Sequence, residues 1–151
     1  MKHKTRDRSA YHYAQSIPTR WMDNDVYGHV NNVNYYSFFD TAVNQFLIEN
    51  GVLDIHGGNT IGLVVETGCQ YYAPISFPEP VLACVGVSHI GKSSVRYEIG
   101  LFTGAQSDPV AEGFFVHVYV DSETRRPTSI PDKMKACLEV IAFNSADLRE
   151  D

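Results

Sequence analysis

The chain opens with polar residues and then changes its hydrophobic rhythm twice. After a short apolar stretch at Ser16 to Trp21, read as a strand, comes a crowd of polar, turn-forming residues, and beyond it Tyr35, Tyr36, Phe39, Ala42, Val43, Phe46 and Leu47 recur every three to four positions. That spacing lays a broad apolar stripe along one face of a helix. Asn50 and Gly51 end it, because glycine readily takes the left-handed conformation that closes a helix C-terminus. From there the period shortens. Segments Thr60 to Tyr72, Pro80 to Ile90, Ser94 to Thr103 and Val110 to Val120 are rich in Val, Ile, Tyr and Phe and bounded by Pro, Gly, Ser and Asp, which predicts four long strands. HIGKSS and TGAQSDP read as turns between them, and DSETRRP as the exit from the last. Met134, Cys137, Leu138 and Ile141 predict a short C-terminal helix.

Strand, long helix, then consecutive antiparallel strands is an α+β order in which a curved sheet of about five strands can wrap a single helix. Residues 1–151 are expected to form one domain, with residues 1–12 as a flexible tail, since they are polar and carry no apolar run of signal-peptide type. The strands bear apolar residues on both faces, as at Val64 with Val65 and Phe114 with Phe115 and Val116, a surplus that a subunit interface would bury. An oligomer is therefore expected.

Composition narrows the function. A hydrophobic content of 44% is ordinary for a globular protein, and a net charge of -6 argues against nucleic-acid or membrane-surface binding. Cys69, Cys84 and Cys137 are odd in number and far apart, so free thiols in a reducing cytoplasm are expected in place of disulfides or a zinc site.

The polar crowd, DNDVYGHVNN, carries the candidate chemistry. At the least it is a helix entry, with Asn31 or Asn32 capping the first turn for about 1 kcal/mol and Gly28 supplying a bend. A calcium loop fails, because Tyr27 and Asn34 stand where carboxylates are required. The histidines show no metal-ligand spacing, and no metal is expected. A catalytic loop accounts for more of the residues. Unpaired N–H groups at a helix start can bind a carbonyl oxygen as it becomes an oxyanion, and a carboxylate just upstream can attack that carbonyl or activate water. The chain has no GxSxG elbow, and no cysteine carries a nucleophile signature.

These residues are recognisable. TRWMDNDVYGHVNNVNYYSFFDTA resembles the signature of the hotdog-fold acyl-CoA thioesterases of the hydroxybenzoyl-CoA thioesterase-like branch, R-[YW]-x-D-x-D-x-x-G-H-V-N-N-x-x-Y-x-x-[YF]-x-[ED], over Arg20 to Asp40. YYAPISFPEPV, HIGKSSVRYEIGLF and VAEGFFVHVYVD match more loosely, where that fold has its strands. The resemblance implies a hotdog fold and hydrolysis of an acyl-CoA thioester without cofactor. It implies Asp25 as nucleophile or general base, the backbone N–H near Asn32 as oxyanion donor, Gly28 as the bend, and His29 and Asn31 as residues that hold the site. Asp23 either shares the work or is a solvent-facing acid, and Asp40, where the motif often has Glu, is expected on the helix surface. Tyr35 and other aromatic residues, Tyr36, Tyr71 and Tyr72 among them, are core or interface positions, some lining the acyl pocket. The family's sites lie at a dimer interface, which implies a homodimer or dimer of dimers, with Lys92, Ser93, Ser94, Arg125 and Arg126 available to the CoA phosphates. An acyl carrier protein as thiol carrier, a non-hydrolytic acyl-thioester binding protein and, last, a hydratase are the alternatives.

Overall fold

The computed structural model describes residues 5–53 and 58–147. The chain forms β1 (Tyr13–Ile17), α1 (Val33–Glu49), β2 (Thr60–Tyr71), β3 (Val81–Ile90), β4 (Ser94–Phe102), β5 (Ala111–Asp121) and α2 (Asp132–Val140). The strands make one antiparallel sheet in the order β1-β3-β4-β5-β2. The curved sheet wraps α1, the long-helix arrangement expected of a hotdog fold.

Two expectations are corrected. The first strand is Tyr13–Ile17, not Ser16 to Trp21: Pro18 follows Ile17 and cannot donate to a ladder, and Trp21–Asp23 is instead a single 3-10 turn. Of the tail expected over residues 1–12, residues 1–4 lie outside the described residues, and the rest is held against the sheet with Arg6 and Ala10 buried. Arg6, only 5% exposed, donates its amide to Glu112 Oε2 (3.0 Å) and its Nε to the Asp147 carbonyl (2.8 Å), and its guanidinium pairs with Glu98. The same guanidinium lies 4.1 Å from the centre of the Phe143 ring, so Arg6 joins both terminal segments to the sheet face turned away from α1.

Burial alone would push the Glu98 carboxyl up, but the hydrogen bond and charge of Arg6, with Arg96 beside it, outweigh that and hold it below its usual 4.5. A carboxyl depressed by folding contributes stability that is present above the unfolded value and lost as pH falls through the folded one. Thermal midpoints of the wild type are therefore expected to drop on acidification below pH 4.5, and those of Glu98→Gln to drop less over the same window. Equal slopes would refute the linkage.

The stripe on α1 buries Tyr35, Phe38, Phe39, Ala42, Val43, Phe46 and Leu47 against the inner sheet face, where Val81, Ala83, Val85, Tyr97, Ile99 and Leu101 are fully buried. Phe38 belongs to the stripe, while Tyr36, assigned to it from the spacing, stays 36% exposed at its margin. The helix ends as expected. Gly51 takes φ +67° and Val52 N–H reaches back to the Leu47 carbonyl at 3.1 Å.

The sheet leaves no room for a side chain at Gly113 on β5, where a Cβ would lie 2.2 Å from Cε2 of the fully buried Phe39 ring. Gly113→Ala is expected to cost about 1–3 kcal/mol, seen as a lower urea midpoint with an unchanged slope, because the ring and its helix must shift.

Both edges of the sheet are short of partners in different degrees. β1 is five residues long, but β2 is a twelve-residue edge strand in which Val64 and Val65 are 49% and 60% exposed. Such a strand presents a row of unpaired backbone groups beside apolar surface. Among the described residues, no helix is long and apolar enough to cross a membrane.

Candidate active site

Between Ile17 and Val33 the polar crowd folds into a tight loop whose side chains are spent largely on its own geometry. Asp23, 2% exposed, accepts Arg20 N at 2.8 Å on Oδ2 and Arg20 Nε and Nη2 at 3.1 and 2.8 Å on Oδ1. Its carbonyl accepts Asn31 N–H (2.8 Å) and Asn34 Nδ2 (3.2 Å). Asp23 is therefore neither a solvent-facing acid nor a second acid in the cavity. It is the clasp that closes the loop.

The next turn places Asp25. Its carbonyl accepts Gly28 N–H (3.0 Å), its amide donates to the His29 carbonyl (2.9 Å), and its Oδ1 accepts Tyr27 N–H (2.9 Å). Gly28 sits at φ +81°, a conformation that costs glycine nothing and a bulky residue a great deal. The connection after β2 grips this turn from the other side. Val30 N–H donates to the Ile75 carbonyl (2.7 Å), Ser76 Oγ to the Gly28 carbonyl (3.0 Å), and Phe77 N–H to Asn24 Oδ1 (3.1 Å).

The helix entry resolves the choice of cap. Asn31 Oδ1 accepts Val33 N–H at 3.1 Å, whereas the Asn32 side chain makes no capping bond. Asn32 N–H has no hydrogen-bond partner among the described residues and stands at the first turn of α1, where the helix dipole is positive.

Asp25, His29, Asn32 and Tyr35 line one cavity of about 480 Å3. Its opposite wall is Tyr71, Tyr72, Ala73 and Pro74, and the Tyr71 ring meets Tyr35 edge-on at 4.9 Å. Burial raises the phenol pKa of both Tyr35 and Tyr71, so each hydroxyl stays protonated at neutral pH. His29 contributes to the loop through its backbone carbonyl, and its exposed side chain makes no hydrogen bond among the described residues. Asp40 lies on the exposed face of α1, accepting Asn44 Nδ2 at 3.0 Å.

Lys92, Ser93 and Ser94 are not in this cavity. They form the β3–β4 turn, at the opposite end of the ten-residue β3 from the Ile75 to Phe77 connection, roughly 30 Å away at strand rise. Arg125 and Arg126 lie at that same far end, in the turn after β5, where Asp121 N–H donates to the Arg126 carbonyl and Arg125 N–H to the Asp121 carbonyl. The far wall, Ala73 and Pro74, was not singled out from the sequence. The signal available for it was Pro74, which ends the strand just where the chain must turn across the loop.

Chemically, one residue lining the cavity carries a carboxylate and another an unpaired amide at a helix start, groups suited to attack on, or hydration of, a polarised carbonyl. The thiols offer no rival nucleophile. Burial pushes Cys69 and Cys84 up to about 11 and raises Cys137 as well, so none is a thiolate at neutral pH. Among the described residues, no group of three His, Cys, Asp or Glu side chains is placed to hold a metal ion.

Comparison with known proteins bears on the family and the fold. A profile of the thioesterase-like superfamily matches residues 19–138. The crystal structure of the PA5185 protein from Pseudomonas aeruginosa is 48% identical, with a TM-score of 0.90 over 93% of this chain and 99% of that one. The 1,4-dihydroxy-2-naphthoyl-CoA thioesterase Slr0204 from Synechocystis has the same fold at 13% identity (TM-score 0.76, 83% and 94% covered). So does the gentisyl-coenzyme A thioesterase BH1999 at 22% identity (TM-score 0.74, 83% and 99% covered). No curated protein matched. With the loop, the helix entry and strands β2 to β5 inside the matched span, the chain belongs to the thioesterase-like superfamily and is a thioester hydrolase of the hotdog fold.

Proposed function

We propose that the protein hydrolyses an acyl-CoA thioester to free acid and CoA, with Asp25 as nucleophile or general base and the Asn32 amide as oxyanion donor. The observation that supports this reading is that Asp25 and Asn32, whose N–H makes no hydrogen bond among the described residues, line one cavity. The thioester carbonyl oxygen is received by the amide. Asp25 then either attacks the carbonyl carbon, expelling the CoA thiolate and leaving an anhydride that water opens, or takes a proton from the water that attacks. In both routes the tetrahedral oxyanion is stabilised by the amide and by the dipole of α1. His29 borders the reacting groups, while Gly28 and Asn31 hold the turn and the helix start that position them.

The active unit in this proposal is a homodimer. Pairing two β2 edges antiparallel buries Val64 and Val65 and satisfies the open backbone row. It also brings the Thr60 end of one subunit beside the Tyr71 end of the other. Lys92, Ser93, Ser94, Arg125 and Arg126 lie at the Thr60 end, so in a dimer they approach the partner's cavity, where the CoA phosphates would emerge. Free cysteines support a reducing, cytoplasmic location.

Thiol release from a panel of aliphatic and aromatic acyl-CoA esters tests the reading. Hydrolysis of at least one member is expected. No release from any member, but release from an acylated carrier protein, would replace CoA as the carrier. Tight acyl-CoA binding without any turnover would make the protein a binding module.

A further inference from the structure

Tyr72 stands between two cavities. It lines the same cavity as Asp25, whereas its hydroxyl lies 2.9 Å from Glu112 Oε1 and 2.9 Å from Gln70 Oε1. Gln70 and Glu112 border a separate cavity of about 490 Å3 on the sheet face turned away from α1. The phenol has one proton and can serve one acceptor at a time. The carboxylate makes the stronger bond, and it is the better fixed: Glu112 is 7% exposed and its other oxygen accepts the Arg6 amide at 3.0 Å, while Gln70 is exposed. The backbone of Tyr72 is pinned too, its N–H donating to the Val110 carbonyl at 2.8 Å. The ring itself is 41% exposed and has left the strand ladder, so packing alone does not fix its two side-chain torsions.

We propose that Glu112 is a positioning residue for the Asp25 cavity: held by the Arg6 amide, its carboxylate tethers the Tyr72 hydroxyl and keeps the ring as a fixed wall against which substrate packs. This rests on the thioesterase reading of that cavity. A wall ordered before substrate arrives spares the complex the cost of ordering it, so its loss weakens binding more than turnover. Through Glu112, Arg6 reaches a wall of the site without touching substrate.

The test compares wild type with Tyr72→Phe, which keeps the ring and removes the hydroxyl that makes the tether. On the best acyl-CoA of the panel, KM is expected to rise about five- to tenfold with kcat within about twofold. The dissociation constant of the corresponding non-hydrolysable thioether should rise by the same factor in calorimetry. Glu112→Gln, which retains an acceptor carbonyl, is expected to raise KM less. The double variant should be no worse than Tyr72→Phe alone, because both changes break one interaction. A purely structural role would lower the active fraction and leave KM unmoved. Unchanged KM and dissociation constant for Tyr72→Phe, or additive effects in the double variant, would overturn the proposal while wild-type turnover leaves the thioesterase reading standing. If wild type neither turns over nor binds any member, both fall together, and if it binds without turnover, the calorimetric ratio alone decides.

Discussion

Asp25→Asn is expected to lower kcat/KM for the best acyl-CoA substrate about a thousandfold, the middle of the range for losing a positioned general base. The substitution is nearly isosteric. Asn retains an oxygen that can accept Tyr27 N–H, so the turn from Asp25 to Gly28 should persist and the thermal midpoint should stay close to wild type. What disappears is the negative charge and the basicity that either route requires. The loss should fall on kcat, with KM little changed, because the carboxylate acts on the reacting carbonyl and contributes little to holding the rest of the substrate. Retention of full activity would remove Asp25 from the chemistry. Oxygen-labelled water in a single turnover then separates the two routes: label recovered in the Asp25 carboxylate identifies the anhydride.

The largest effect on stability is expected at Arg6. Arg6→Ala should cost about 3–5 kcal/mol in urea unfolding, the range for removing one member of a buried ion pair. The side chains of Arg6 and Glu98 are 4% and 11% exposed, so the variant leaves the Glu98 carboxylate in a poorly solvated place with only Arg96, at 3.5 Å, to answer it. It also strips the contact with Phe143 and the bond to the Asp147 carbonyl, loosening the C-terminal segment from the sheet. Replacing both Arg6 and Glu98 with apolar residues should cost less than Arg6→Ala alone, since no charge is then stranded. A change of under about 1 kcal/mol in Arg6→Ala would mean that the N-terminal segment is not docked as described.

Much of the fold was legible because its signals are local. The helix follows from the 3.6-residue recurrence of Tyr35, Phe39, Ala42, Val43, Phe46 and Leu47, and its end from Gly51, whose positive φ is a property of one residue. The four long strands follow from β-branched and aromatic runs between turn residues. Where reading failed, the deciding partner was distant. Nothing near Arg6 announces burial, because Glu98 and Glu112 are 92 and 106 residues away. Tyr36 and Phe38 exchange roles because the stripe is wider than one row of the helix and the sheet covers only one side of it.

The loop divides in the same way. Its residue types announce acid, bend and helix start, and Gly28 at φ +81° and the Asn31 cap carry those signals into the structure. The resemblance pointed to Asp25 and left Asp23 either sharing its work or facing solvent, and only the fold settled the place of Asp23. Asp23 and Asp25 are two residues apart and look alike in sequence, yet one is closed onto Arg20 and the Asn31 amide while the other lines the cavity. That choice is made by the Ile75 to Phe77 connection, which binds Asn24, Gly28 and Val30 and so sets the rotation of the loop. By itself, then, the sequence determined the elements, the family signature and the chemical vocabulary of the site, since these depend on neighbours along the chain. Only the tertiary structure decided that Asp23 is buried against Arg20, that Lys92 and Arg125 lie at the other end of the sheet from the cavity, and that Tyr72, a lining residue, is bonded to Glu112 behind it. The last two depend on contacts between segments dozens of residues apart, where pattern along the chain carries no information about distance.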